Sequence, residues 1–286
     1  MRFKYAKKAS IIGIIFNIFL LVIKGIIGFI TNSKAMIADT FNSAGDILSS
    51  FMTFIGNKIA SKPSDDDHNL GHGKAEYIYS MLISIIMILM SLIVLKDSII
   101  SIFIKSKYEF SIFIIIVCVI TIITKLGLYI YTNKLYKKYN NLLIRANSID
   151  HRNDCVLTFL SLISSIFALN NIYIVDSLVG ILISIWIIIS ALNIFIESYK
   201  VLMDTSISDE TKSKVYNIIK EYKSIQSVNH FNSTPVGYKY QISLTIFVDG
   251  NMPTYESHAI ADMLEKQIIK EIDEIYLAVI HVNPVI

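Results

Sequence analysis

Six long apolar stretches, at about residues 11–31, 35–58, 77–97, 110–132, 143–168 and 173–197, are separated by short polar connections over the first 205 residues. A helix needs roughly 20 apolar residues to cross a hydrocarbon core of about 30 Å. The pattern therefore predicts six transmembrane helices. The second and fifth are the least apolar of the six, because the second carries Asp39, Asn42 and Asp46 and the fifth carries Asp150 and Asp154. Beyond residue 205 the period changes. Thr211 to Tyr222 has helical spacing, Ser227 to Ser233 fits a short strand, Tyr238 to Val248 alternates as a strand, Thr254 to Ile272 is an amphipathic helix, and Tyr276 to Val282 is an apolar strand. Gly237 and the run Asp249-Gly250-Asn251 supply turns. The expected fold is a membrane α-helical domain, residues 1–205, followed by a small cytoplasmic α+β domain, residues 206–286, of order αββαβ with its helices on one sheet face.

Composition agrees with this split. Hydrophobic residues make up 53% of the 286 and charged residues 17%, with a mean hydropathy of +0.56. That is too apolar for an ordinary soluble domain and too polar for membrane spans alone. The net charge of +3 comes without a basic stripe and excludes a nucleic-acid partner. Basic residues set the orientation. Arg2, Lys4, Lys7 and Lys8, then Lys58, Lys62 and Lys74, then Lys134, Lys137, Lys138 and Arg145 fall on one side, against Lys34, Lys96, Lys105 and Lys107 on the other. The positive-inside rule then gives a multi-pass protein of the cell membrane, embedded in lipid, with both termini cytoplasmic. The apolar run from Ile11 to Ile30 is too long for a signal peptide and reads as the first span. Cys118 and Cys155 lie within spans as small buried hydrophobes. Lys24 and Lys125, within or near the ends of spans, read as snorkelling or paired.

Carboxylates at membrane depth mark function by default. Asn42 and Asp46 are spaced i, i+4, and so are Asp150 and Asp154, so each pair occupies one helix face. Turned toward each other, the two faces make a cage of oxygens with three carboxylates, which lipid cannot solvate and a divalent cation can. Asp39 falls on the same stripe as Asn42 and Asp46, nearer the outside, where it assists release or hydrogen-bonds a helix end. His151 stands three residues before Asp154, so spacing alone leaves either Asp150 or His151 flanking the ion. Between the second and third spans, Asp65-Asp66-Asp67-His68-Asn69-Leu70-Gly71-His72 gathers acids and imidazoles just outside the membrane, as an accessory metal site or a solvated charge run.

With six spans, Asp65, His68 and His72 followed by Gly73-Lys74-Ala75-Glu76, and a tail ending in His281-Val282-Asn283-Pro284, the chain resembles the cation diffusion facilitators over essentially its full length. The resemblance implies a homodimeric exporter that exchanges a divalent metal for protons by alternating access, with no cofactor and no enzymatic activity. By position its transport ligands are Asn42, Asp46, Asp150 and Asp154. Zinc-moving members usually place His or Asp at Asn42 and His at Asp150, so this chain looks like the manganese-exporting branch. Carboxylate and carbonyl oxygens suit Mn²⁺, whereas imidazole favours Zn²⁺ and its neighbours; Zn²⁺ or Fe²⁺ efflux is the alternative. In the tail, the family's metal positions hold Asn229, Thr245, His258, His281 and Asn283, with His230 one residue out of register. His258 and His281 are the remaining candidate ligands, and a dimerisation domain with little or no metal is the other reading. Similarity also pairs Lys74 with Asp204.

Three carboxylates around one point repel one another, so protons and a divalent ion compete for the same oxygens and their fluxes couple. Asn42 adds a neutral carbonyl. Two rivals use fewer of these features. An intramembrane aspartyl protease needs one acid from each of two helices and has no use for doubled pairs or a His/Asp loop. A membrane metal sensor binds ions without moving them.

Overall fold

The computed structural model describes residues 2–30, 34–104, 112–168 and 174–285. Helices α1 (Arg2–Ile30), α2 (Lys34–Ala60), α3 (Ala75–Ile104), α4 (Ile112–Tyr139), α5 (Leu142–Ala168) and α6 (Ile174–Leu202) follow the six apolar stretches. Among the described residues, α1, α3, α4 and α6 contain segments long and apolar enough to cross a membrane. The other two, α2 and α5, are more polar because of the Asn, Ser and Asp residues they carry. Ser43, Asp46, Ser49, Ser50 and Thr53 of α2 and Asn147, Ser148, His151, Asn153 and Asp154 of α5 are all buried. Apolar side chains such as Ile15, Phe19, Leu89, Ile123, Ile130 and Leu182 face outward instead. Polar inside and apolar outside is the arrangement a hydrocarbon surrounding demands.

The chain forms two compact units, Met1–Ser61 with Ala75–Tyr199, and Lys62–Lys74 with Lys200–Ile286. In the first, α5 is fixed at its start and along one face. Asn141 caps it, its Oδ1 accepting from the Ile144 N–H at 2.9 Å, and the Leu142 N–H donates to Glu76 Oε1 of α3 at 2.6 Å. Both acceptors satisfy amide groups that a buried helix N-terminus leaves without partners. Two arginines seven residues apart then hold α5 against α6. Arg145 pairs with Glu197, while Arg152 lies over the Trp186 ring at 4.4 Å and donates to Ser190 Oγ at 3.2 Å. With that face committed to α6, the acids of α5 turn toward α2 and α4. Ile83, Met87, Leu143, Ala146, Ala191 and Ile194 complete the packing of α3, α5 and α6.

The second unit has the expected order: α7 (Asp209–Lys220), β1 (Ser227–Val236), β2 (Lys239–Asp249), α8 (Thr254–Glu271) and β3 (Ile275–Val285). The strands lie in the order β1-β2-β3, with β1 antiparallel to β2 and β3 parallel to β2. Parallel pairing requires a crossover, which α8 provides. Alternate residues Ile242, Leu244, Ile246 and Val248 of β2 are buried against Val215, Ile218 and Ile219 of α7 and Leu264 and Ile268 of α8. Ser208 caps α7, its side chain accepting from the Thr211 N–H. The segment 62–74 belongs to this unit, which hydropathy along the chain does not reveal. Lys74 Nζ donates to Asp204 Oδ1 at 2.7 Å. Gly73 meets the β1–β2 turn backbone to backbone, where a Cβ on Gly73 would stand 2.8 Å from the Gly237 Cα. Gly237 has φ +63°, which favours glycine.

Candidate metal site

Asp46 of α2 and Asp154 of α5 converge on one point, and a lysine of α4 occupies it. Lys125 Nζ lies 2.6 Å from Asp46 Oδ2 and 2.6 Å from Asp154 Oδ2. The lysine side chain is 1% exposed. Asp150 is on the same side of α5, and one donor atom each from Asp150, His151 and Asp154 lies within 4.8 Å of the others. The choice left open between Asp150 and His151 therefore does not resolve into one or the other, since both contribute atoms to the cluster. Asp46, Ser49, Met90, Asp150, Asn153 and Asp154 line a cavity of about 40 Å³, room for one or a few water-sized groups. Asn42 stands one turn before Asp46 on α2. The side chains of Asn42 and Asp39 lie outside the described residues.

Around this point the bundle is polar and under-satisfied. Among the described residues, Asp150 Oδ2, both ring nitrogens of His151, both amide atoms of Asn147 and Nδ2 of Asn153 are buried without a hydrogen-bond partner. Leaving such atoms unpaired costs on the order of 1–3 kcal/mol each, so the amide N–H groups favour water and the oxygen and imidazole lone pairs favour water or a cation. Asn17 of α1 supports the site from behind, donating to the Asp46 carbonyl and to Ser50 Oγ, each at 3.2 Å. Lys24, also on α1 and buried, donates to Ser43 Oγ at 3.1 Å. Lys24 and Lys125 are thus paired rather than snorkelling. Of the two readings for Lys125, snorkelling or paired, the second holds, and its partners are the two acids. Its only signal was a cation in the middle of an apolar segment.

The loop cluster also forms, within the tail unit. Asp65 Oδ1 accepts from the His68 backbone at 2.7 Å and faces His68 Nδ1 at 3.2 Å, and Asp65 Oδ2 lies 3.4 Å from His72 Nε2. The His68 backbone N–H holds the Asp65 carboxyl below the usual carboxylate range, with its ring adding to the effect. Pro63 O can only accept, so His72 Nδ1, 3.1 Å away, carries a proton and donates to it. Nε2 of His72 is then the ring nitrogen that faces Asp65, the orientation that a backbone carbonyl imposes on metal-binding histidines. Within residues 206–286 no such cluster of three or more ligand residues forms among the described residues. His258 is exposed on α8, 3.9 Å from Asp262, and His281 is exposed on β3, in register with Thr245, which pairs in turn with Asn229.

Comparison with known proteins adds an independent line. The family described as "Cation efflux transmembrane domain" matches residues 10–203, and "Cation efflux protein, cytoplasmic domain" matches residues 207–285. The magnetosome protein MamB of Magnetospira sp. is 26% identical over 92% of this chain and 89% of its own length. The manganese efflux system protein MneP of Bacillus subtilis is 26% identical over 99% of this chain and 97% of its own. The metal-bound C-terminal domain of the CzcD transporter from Thermotoga maritima is 25% identical over 26% of this chain and 87% of that domain, with a TM-score of 0.26.

Proposed function

From the premise that the chain belongs to the cation efflux family, a family of divalent-metal transporters in the membrane with a dimer-forming cytoplasmic domain, we propose that it exports Mn²⁺ in exchange for protons. The observation that carries this reading is the convergence of Asp46 and Asp154, from two helices, beside Asp150 and a small polar cavity. The transport ligands are Asn42, Asp46, Asp150 and Asp154. Oxygen donors suit Mn²⁺ and weaken the advantage that Zn²⁺ holds at nitrogen and sulfur sites. The manganese efflux protein of Bacillus subtilis supports the same cargo. Divalent ion and protons compete for the same carboxylate oxygens, so loading one releases the other. Alternating access then carries the ion outward across the cell membrane, both termini remaining in the cytoplasm.

His151 favours a second cargo. A fully buried imidazole with both nitrogens unpartnered, in a cluster with Asp150 and Asp154, supports Zn²⁺ or Fe²⁺ if α5 turns slightly. Asp65, His68 and His72 hold an accessory divalent ion on the loop. Residues 206–286 dimerise, with His258 and His281 too exposed to anchor a metal on their own. Metal-driven proton flux in vesicles, comparing Mn²⁺, Zn²⁺, Fe²⁺ and Co²⁺, tests the proposal. The largest flux is expected with Mn²⁺. A larger Zn²⁺ flux replaces the cargo, and binding without flux makes the protein a sensor.

A further inference from the structure

The proposed exchange of metal for protons has no use for Lys125, yet this side chain holds the centre of the site. We infer that Lys125 is a tethered cation that takes the cargo's place: its ammonium bridges Asp46 and Asp154 while no metal is bound and withdraws when the divalent ion arrives. This inference rests on the reading of these residues as the transport site.

Three observations carry it. The ammonium contacts one oxygen of each acid at 2.6 Å, so it bridges the same two side chains that would bridge an ion. Metal–oxygen bonds of about 2.0–2.2 Å would put a divalent ion against the ammonium, and two cations do not share such a point in a medium that screens them poorly. Lysine is also suited to leave. It reaches the site on a flexible four-carbon stem and is a compact point charge, unlike the fixed fork of arginine. The buried, nearly dry setting supplies the reason for a placeholder. Two carboxylates facing each other at membrane depth need a counter-charge whenever the metal is away. With Lys125 in place, a single proton on the acid pair leaves the Asp46–Lys125–Asp154 group without net charge as the empty site crosses between its two faces.

The role separates two fluxes that a purely structural lysine would change together. Radiolabelled Mn²⁺–Mn²⁺ exchange between the two sides of a vesicle uses only the loaded site, whereas net efflux also needs the empty site to return. In Lys125→Met, net efflux is expected to fall about tenfold further than exchange does, and Mn²⁺ binds about tenfold more tightly because an intramolecular competitor is gone. Lys125→Arg, which keeps the charge with a stiffer fork, serves if the methionine variant misfolds, and is expected to bind Mn²⁺ more weakly than wild type. Exchange and net efflux falling in parallel, or unchanged Mn²⁺ affinity in either variant, overturns the inference. Absence of any metal flux in the wild-type protein would instead overturn the transport reading.

Discussion

Neutralising Lys125, Asp46 and Asp154 together should harm folding less than neutralising Lys125 alone. Each 2.6 Å contact is worth about 6 kcal/mol of attraction at an effective dielectric constant of 20. Against this stands a desolvation penalty of several kcal/mol for each of the three buried ions. The triad is therefore close to break-even as a whole, but removal of Lys125 strands two carboxylates in the bundle, whereas removal of one acid leaves a balanced pair. Lys125→Met should cost about 3–5 kcal/mol, and Asp154→Asn, which keeps the Lys125–Asp46 pair, clearly less. The double variant leaves only Asp46 uncompensated, one bare acid instead of two, and should cost less than Lys125→Met alone, not the sum. The triple variant Lys125→Met, Asp46→Asn, Asp154→Asn should return to within about 1 kcal/mol of wild type while transporting nothing. Thermal unfolding of the purified protein in chelator, followed by fluorescence of Trp186, reads the series, at about 2–4 °C per kcal/mol. Trp186 is the chain's single tryptophan and stacks on Arg152 of α5, so its emission reports the helix that carries the acids. Strictly additive losses in the double and triple variants would refute the triad.

Other consequences follow from particular contacts. Glu76→Ala removes the acceptor at the start of α5 and should destabilise the protein by about 1–3 kcal/mol, with Glu76→Gln recovering part of the loss; equal melting temperatures for all three would contradict the capping role. Gly73→Ala places a methyl group against the Gly237 backbone and should loosen the segment 62–74, read as faster proteolytic cleavage there, whereas unchanged cleavage rates would mean the approach is not tight. Asn42→His combined with Asp150→His should shift the Mn²⁺ to Zn²⁺ transport ratio toward Zn²⁺, and an unchanged ratio would remove ligand softness as the selector.

Much of the fold was legible because its signals are local. Alternation from Tyr238 to Val248 marks β2 without reference to any partner, since one face packs on α7 and α8 and the other does not. Weak hydropathy in α2 and α5 marked their buried acids, because a carboxylate in an apolar segment has few structural explanations. Lys125 gave a weaker signal. A lone lysine near a span reads as snorkelling until a second helix and a third supply its two carboxylates, and that meeting is set by tertiary packing. Glu76 stood in a motif whose physical role, capping a helix that begins 66 residues later, no spacing rule discloses. Asp150 and His151 are adjacent, so a small rotation of α5 exchanges them, and periodicity cannot separate them. The attachment of 62–74 to the tail unit depends on Lys74–Asp204 and on two glycines far apart in sequence.

Asp46→Ala and Asp154→Ala, assayed for Mn²⁺-driven proton flux in reconstituted vesicles beside the wild type, test the site most directly. The account predicts that both variants insert and dimerise but move neither metal nor protons. Undiminished flux in either one would contradict it.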